Sequence, residues 1–141
     1  MKKMIVIGLM LASMSVFAQK IDGSKVPASA QATFSKNFPG IKDVKWEKEK
    51  GNYEANFKEN GQKMSAVIDA NGRLLETETA IEAGSLPTDA KAYIEKNYKG
   101  EKIKEAAKLK MANGDTNYEA EVKGMDLIFD ANGKFIKSQK D

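Results

Sequence analysis

The sequence predicts an α+β fold that consists of two copies of one unit, each a helix followed by a four-stranded antiparallel sheet, in the order α-ββββ-α-ββββ. Three observations support this prediction. Several short segments recur in the same order about 60 residues later. Each copy opens with apolar residues spaced by four, as on one face of a helix. The apolar residues then occur at every second position, as on one face of a strand.

The recurring segments indicate a tandem duplication, because they keep their order along the chain. The two copies are predicted at residues 24–82 and 86–137, with only Ala83-Gly84-Ser85 between them as a linker. The segments that recur are Val26-Pro27 as Leu86-Pro87, Tyr53-Glu54-Ala55 as Tyr118-Glu119-Ala120, and Asp69-Ala70-Asn71-Gly72 as Asp130-Ala131-Asn132-Gly133.

Each copy is expected to begin with an amphipathic helix. Pro27 and Pro87 fit the first helical turn, where a missing N–H costs little. Gly40 and Gly100 follow the last apolar residue, as helix stops do. Side chains four residues apart share one helix face, so this face is predicted to cover a sheet. The residues on it are Val26, Ala30, Phe34 and Phe38 in the first copy, and Leu86, Ala90, Ile94 and Tyr98 in the second.

The strands of both copies are predicted to have one buried and one solvated face. Turns such as Asn71-Gly72 join neighbouring strands into antiparallel hairpins, and the last strand of the first copy is expected over residues 73–81. The sequence leaves open whether two small sheets lie side by side or one sheet of eight strands runs through both copies. The residues predicted to face the helices are Val44, Trp46, Tyr53, Ala55, Phe57, Met64, Ala66 and Ile68, followed by Leu109, Met111, Tyr118, Ala120, Val122, Met125, Leu127, Phe129 and Phe135.

The N-terminal segment is predicted to be a secretory signal peptide, residues 1–18, that is removed after Ala18. A pair of lysines forms a short basic region, and an uncharged apolar stretch follows from Ile5 to Val16. These twelve residues are too few to cross a hydrocarbon core about 30 Å thick. The first twenty residues are therefore expected to lie outside the fold. The protein is expected to be periplasmic or secreted, with no membrane span.

Composition excludes several kinds of chemistry. The chain has no His and no Cys, which excludes Ser-His and Cys-His nucleophiles, disulfides and the commonest metal ligand. Without the two lysines of the signal peptide, the formal net charge falls from +3 to +1, and charges of both signs are interleaved. This pattern is typical of a solvated surface rather than of a nucleic-acid-binding surface. No catalytic residue, cofactor or metal is predicted.

The motifs at residues 26–40, at Trp46, at residues 53–57 and in the two Asp-x-Asn-Gly turns resemble those of the PepSY-like proteins. These are small exported bacterial proteins, also called beta-lactamase-inhibitor-like, and the resemblance covers residues 26–137. It implies a tandem helix-plus-antiparallel-sheet fold. The inhibitor that gives the family its second name binds an enzyme with such a sheet, and PepSY modules are thought to restrain peptidases. The implied partner is therefore an exported protein such as a peptidase.

This chain also departs from the beta-lactamase inhibitor. The inhibitor is held together by disulfides, which a chain without Cys cannot form. No inhibitory loop motif is identifiable, so no residue role is carried over from it.

Two groups of residues have an alternative functional interpretation. Trp46, Tyr53 and Phe57 could stack on a ligand, but their strand phase favours the core. The Asp-x-Asn-Gly turns could suggest calcium, but they lack the third Asp or Asn and the distal Glu of an EF-hand loop. Asp and Asn also stabilise turns through their own backbone, which is the favoured interpretation.

The solvated face of the sheet is the predicted partner-binding surface. Val67 and Ile128 are apolar residues at equivalent positions on this face and would serve as anchors. The charged residues that would surround them as a polar rim are Glu54, Lys58, Glu119 and Lys123.

Three functional hypotheses follow. The favoured one is an exported, non-enzymatic protein-binding or inhibitory module. The alternative is a small-molecule or lipid carrier with a pocket between sheet and helices. The third is a hydrolase that uses carboxylates such as Glu54 and Glu119, which close, buried carboxylates with shifted pKa values would favour.

Overall fold

The computed structural model describes residues 18–140, and all of the predicted signal peptide except Ala18 lies outside this range. The described residues form two α-helices, two 3₁₀-helices and nine strands. In chain order these are β1 (Gln19–Ile21), a 3₁₀-helix (Gly23–Lys25), α1 (Ala28–Asn37), β2 (Lys45–Glu49), β3 (Asn52–Glu59), β4 (Gln62–Ile68), β5 (Leu74–Ile81), a 3₁₀-helix (Ala83–Ser85), α2 (Thr88–Asn97), β6 (Ile103–Met111), β7 (Thr116–Val122), β8 (Met125–Asp130) and β9 (Phe135–Lys140).

The nine strands form one antiparallel sheet in which each strand pairs with its neighbours in sequence. β5, from the first repeat, pairs with β6, from the second, over six residue pairs that run from Glu76–Met111 to Ile81–Ala106. We call this β5–β6 pairing the seam. It answers the question that the sequence leaves open, because the sheet continues from one repeat into the next. The α+β class is confirmed, with nine strands instead of eight.

The additional strand is β1, at the start of the described chain. Gln19 and Lys20 pair with Lys48 and Glu47 of β2, so the expectation that the first twenty residues lie outside the fold is wrong for these two. β1 has only three residues, too few for a period-two pattern to be visible in the sequence. The segment Ala83–Ser85, predicted as a linker, is a 3₁₀-helix.

Both helices lie on the same face of the sheet, and each covers its own core. In the first core, Phe34 of α1 packs edge-on against Trp46 and Phe57, with ring centroids 5.5 and 5.1 Å away. Trp46 is buried, which confirms that it belongs to the core. In the second core, Tyr93 of α2 stacks on Phe135 at 4.5 Å. The buried residues are Val26, Ala30, Phe34, Phe38, Trp46, Tyr53, Ala55, Phe57, Ala66 and Ile68 in the first, and Leu86, Ala90, Ile94, Ala106, Ala120, Val122, Leu127 and Phe129 in the second.

The two Asp-x-Asn-Gly turns have the predicted turn chemistry. Oδ1 of Asp69 accepts hydrogen bonds from the backbone N–H groups of Asn71 and Arg73, both at 2.9 Å. Oδ1 of Asp130 accepts the equivalent bonds from Asn132 and Lys134 at the same distances. Each Asp side chain thus satisfies two backbone donors of its own turn, as an Asx-turn does.

The glycine of each of these turns touches a helix. Gly72 has φ +86°, and a Cβ there would lie 2.8 Å from the carbonyl oxygen of Ser29 in α1. Gly133 has φ +88°, and a Cβ there would lie 2.7 Å from the backbone nitrogen of Ala90 in α2. The hydroxyl of Ser29 also donates to the carbonyl of Ala70 at 2.8 Å. The repeated motif therefore positions each helix against the sheet.

Leu109 and Met111 lie on the opposite face from the one predicted. In the seam they pair with Glu78 and Glu76, and their side chains therefore share the face away from the helices. A register shift between Ile103 and Glu105 changes the phase of β6 near its start. Ala106 and Ala107 are both buried, so β6 lacks the alternation that would reveal its phase.

Candidate partner-binding groove

The sheet face away from the helices forms a groove of about 650 Å³ that extends across both repeats. Eight carboxylate side chains and four lysines line it, so the lining is acidic although the whole chain is slightly basic. The acidic side chains are Glu49, Glu54, Glu76, Glu78, Glu105, Glu119, Glu121 and Asp126, and the lysines are Lys50, Lys63, Lys104 and Lys140.

Strand register determines which groove residues are neighbours, because directly paired residues of an antiparallel sheet point to the same face. One cross-strand row contains Glu54, Val67, Glu76 and Met111. The next row contains Asn56, Ser65, Glu78 and Leu109. A third row contains Ala80, Ala107, Glu119 and Ile128. The seam therefore lies in the groove and brings carboxylates of the first repeat beside apolar residues of the second.

Burial and neighbouring charges raise the pKa values of three carboxyl groups in the groove. Burial, followed by repulsion from Glu76, Glu54 and other acids, raises the pKa of Glu78 to about 7. Burial also raises the pKa of Glu76, against an opposing attraction from Lys137. For Glu54, burial is again the main cause of the raised pKa, with smaller contributions from nearby glutamates. The centre of the groove thus holds more negative charge than its surroundings neutralise.

A small apolar cluster lies beside these carboxylates. Ala107, Leu109 and Ile128 are buried, and Met111 packs against them. Ile128 has the predicted strand phase, but it is only 5% exposed. The prediction that Ile128 is an exposed anchor is therefore wrong, because neighbouring side chains on the same face cover it. Replacing it with a charged residue would disturb packing as well as the groove surface.

The other predicted binding residues are distributed unevenly. Glu54, Val67 and Glu119 line the groove and are partly buried. Lys58 is exposed, pairs with Lys63 across β3 and β4, and lines a separate cavity of about 620 Å³ near Gly40. Lys123 lies in the β7–β8 turn at φ 55°, with its Nζ atom 3.7 Å from Glu101.

Among the groove residues that the sequence analysis did not predict, Glu76 and Glu78 lie on the middle strand of the sheet, β5. They occupy alternate positions in a strand whose residues read Leu-Leu-Glu-Thr-Glu-Thr-Ala-Ile. This alternation was a usable signal, but its importance depends on β6 being the neighbour of β5. Glu121 differs from these two glutamates, because it is buried and forms an ion pair with Lys104 at 2.9 Å.

Two further observations limit what the described residues can do. Among residues 18–140, no three acidic side chains converge closely enough to hold a metal ion. Within the same part of the chain, neither helix is long and apolar enough to cross a membrane.

The class of protein follows from a family match that covers most of the chain. A family described as "Putative beta-lactamase-inhibitor-like, PepSY-like" matches residues 15–76 and again residues 65–137. The chain therefore belongs to this PepSY-like, beta-lactamase-inhibitor-like family. The double match agrees with the repeat seen in the sequence. No match was found among the curated proteins.

Solved structures show the same fold. A BLIP-like protein from Bacteroides fragilis is 25% identical, with a TM-score of 0.66 over 81% of this chain and 86% of that one. A DUF2874 family protein from Bacteroides uniformis is 19% identical, with a TM-score of 0.71 over 81% and 88% of the two chains. A protein from Bacteroides eggerthii described as "putative periplasmic" is 15% identical, with a TM-score of 0.72 over 82% and 88%.

Proposed function

We propose that this protein is an exported, non-enzymatic module that binds another exported protein, such as a peptidase, through the groove of its sheet. The observation that supports this proposal most is the composition of the groove, whose lining combines partly buried carboxylates with the apolar residues Val67, Ala80 and Ala107. Such a surface has the mixed apolar and polar character of protein interfaces. If the partner is an enzyme and the groove covers the partner's active site, binding would inhibit the partner.

Export is a part of this proposal. β1 begins at Gln19, immediately after the predicted cleavage position, so removal of residues 1–18 leaves every described strand intact. The family's structural neighbours include proteins described as periplasmic. The mass of the exported protein is expected to correspond to a chain that starts at Gln19. A product that retains Met1 would contradict export by cleavage.

The substitution Val67→Arg tests whether the groove binds a partner. Val67 is partly buried in the groove, and a long cationic side chain there would obstruct the surface without emptying a core. Capture of the partner by immobilised mature protein from a periplasmic extract is expected to fall at least about tenfold, which corresponds to roughly 1.4 kcal/mol. The circular dichroism spectrum should stay close to that of the wild type, and the melting temperature should not fall, because Val67 lies between Glu54 and Glu76 and the new cation would relieve their repulsion.

Ile136→Arg is the matched control for this experiment. Ile136 is 50% exposed on the edge strand β9 and does not line the groove. The control should capture the same partner as the wild type. If folded Val67→Arg captures that partner equally well, the groove is not the binding surface and the proposal is wrong.

Carboxylate catalysis is a second candidate, because Glu78 has a pKa of about 7, in the range of a general acid or base. Hydrolysis of chromogenic esters or glycosides that disappears in Glu78→Gln would favour this candidate over a pure binding role. The carrier hypothesis gains less support, since apolar side chains of each helix pack on the sheet and the cavity near Gly40 is lined mostly by polar and charged residues.

A further inference from the structure

We infer that the seam of the groove is a receptor for one cationic side chain, a lysine or arginine that the partner protein presents on its surface. This inference rests on the proposed function and identifies the partner's chemistry at the same site. Three independent features of the groove support it: carboxylates that form no ion pair, a hydroxyl without a hydrogen-bond partner, and an apolar wall next to both.

The carboxylates of Glu76 and Glu78 have no counterion in direct contact, although Lys137 attracts Glu76 at longer range. Among residues 18–140, neither forms an ion pair or a side-chain hydrogen bond with another residue. Both lie on β5 in the seam, and Glu54 lies in the same cross-strand row as Glu76. An ammonium or guanidinium group placed between them would relieve the repulsion and supply the missing hydrogen-bond donors.

Ser65 is the second feature. It pairs directly with Glu78 across β4 and β5, and it is only 8% exposed. Within the described chain its hydroxyl has no hydrogen-bond partner. Every fully buried side-chain oxygen in this part of the structure has a hydrogen-bond partner. The Ser65 oxygen has none, so it must retain some contact with solvent. The hydroxyl therefore opens into the groove, where it can accept a hydrogen bond from a bound cation.

The apolar wall explains why a side chain fits this site better than a small ion. Val67 is partly exposed in the groove beside Glu76 and Ser65, and Ala80 is exposed there two residues from Glu78. Lysine and arginine combine an aliphatic stem with a charged head, so the stem can pack on this wall while the head reaches the carboxylates. No three acidic side chains in residues 18–140 are grouped as metal ligands, which agrees with an organic cation whose charge is spread over a larger group.

The lysines of the groove limit how many cations can bind. Lys50, Lys63 and Lys140 line the same groove as the carboxylates of the seam. A strongly basic segment would place its additional positive charges near them, and like charges repel. A partner with one protruding cation surrounded by apolar or neutral residues fits this distribution best.

Binding is expected to strengthen as the pH rises. Glu78 pairs with Ser65 of β4 and Leu109 of β6. The charged groups that act on it are Glu76 on its own strand, Glu54 on β3, Glu105 on β6 and Asp126 on β8, and Lys63 and Lys104 line the same groove. The raised pKa leaves Glu78 largely protonated below neutral pH, where it attracts a cation less. A bound cation favours the carboxylate, so complex formation releases a proton.

The experiment uses two blocked peptides, Gly-Ser-Leu-Arg-Leu-Ser-Gly and the same sequence with citrulline in place of arginine. Citrulline has nearly the same shape as arginine but no charge. Each peptide is titrated into ¹⁵N-labelled mature protein and followed by backbone amide shifts at about pH 6 and about pH 8. We expect the arginine peptide to move amides of β4, β5 and β6 and to bind at least about tenfold more tightly than the citrulline peptide at the higher pH.

Three variants complete the test. Glu78→Gln should weaken binding of the arginine peptide about tenfold and remove most of its pH dependence, and Ser65→Ala should weaken it by a smaller factor. Glu95→Gln is the control, because it makes the same charge change on the exposed face of α2. It should bind like the wild type. Equal binding of the two peptides, no shift at millimolar peptide, or an unaffected Glu78→Gln variant would overturn the inference.

Partner capture separates failure of this inference from failure of the proposed function. If Val67→Arg loses the partner but Glu78→Gln retains it, the groove binds a protein without using the cation receptor. If Val67→Arg retains the partner, the proposed function itself is wrong.

Discussion

In the proposed role, Glu78 would serve a binding surface at the expense of stability. Its carboxyl is held among other acids, and its pKa is raised from 4.5 to about 7. The folded protein therefore binds a proton more tightly than the unfolded chain between these two values. Stability consequently falls as the pH rises from the unfolded pKa through the folded one. A partly buried position that served only the fold would not be expected to carry this charge.

Thermal unfolding at different pH values can detect this effect. Between about pH 5 and about pH 8, Glu78→Gln should show a smaller decrease in melting temperature than the wild type. At the upper end of this range the variant should melt higher by about 2–5 °C, since a neutral amide avoids the repulsion. Glu95→Gln should follow the wild-type curve. A melting temperature of Glu78→Gln that changes with pH as steeply as the wild type would mean that Glu78 does not titrate in this range.

At the scale of single elements, the Asp-x-Asn-Gly turns connect the sheet to the helices. Each turn ends in a glycine with positive φ that touches a helix backbone. The sequence predicts the turn itself, because Asp, Asn and Gly each have a local reason to be there. It does not predict the helix contact, which depends on where the folded chain brings residues more than 40 positions apart. The same limit applies to β1 and to the phase of β6.

Gly72→Ala and Gly133→Ala test this contact. Alanine is strained at positive φ, and its Cβ would collide with the backbone of α1 or α2. We expect each substitution to lower the free energy of unfolding by about 2–4 kcal/mol. Gly114→Ala is the control, because it also has positive φ but a Cβ there would meet no atom within 4 Å. It should cost only about 1 kcal/mol, from backbone strain alone. Equal losses at all three glycines would show that the helix contact contributes nothing.

The sequence shows the general plan of the sheet but not its groove. Periodicity correctly assigns Trp46, Tyr53 and Phe57 to the core, because apolar side chains at alternate strand positions indicate a buried face. Glu76 and Glu78 acquire their significance only from the seam, and a seam between repeats leaves no local pattern. Ile128 has the predicted phase but is buried, because the neighbours that cover it come from the misassigned strand β6.

At the scale of the whole molecule, β5 belongs to both halves. Leu74, at its start, packs against the first core, and Ile81, at its end, packs against the second. The two repeats also share the hydrogen bonds of the seam. Neither half can therefore lose its structure without exposing part of the other, and we expect the protein to unfold in one cooperative transition.

This coupling can be tested by a substitution in the second core whose effect is measured with a probe in the first core. Phe129 has no exposed surface, so Phe129→Ala should cost about 3–5 kcal/mol. Trp46 is the only tryptophan and lies in the first core. Its fluorescence should report a denaturant midpoint lowered as much as the midpoint from circular dichroism. The exposed-site variant Ile136→Ala should change neither midpoint. A tryptophan transition unchanged by Phe129→Ala would mean that the halves unfold separately.

The seam also determines the valency of this protein. A duplicated chain ordinarily offers two equivalent sites, one in each copy. Here the acidic centre arises where one copy meets the next, and the described sheet, from β1 to β9, contains one such seam. An array of n such repeats would have n − 1 seams, so a single repeat has none. Two repeats are thus the smallest number that can build the proposed receptor, and we expect residues 18–140 to bind one partner.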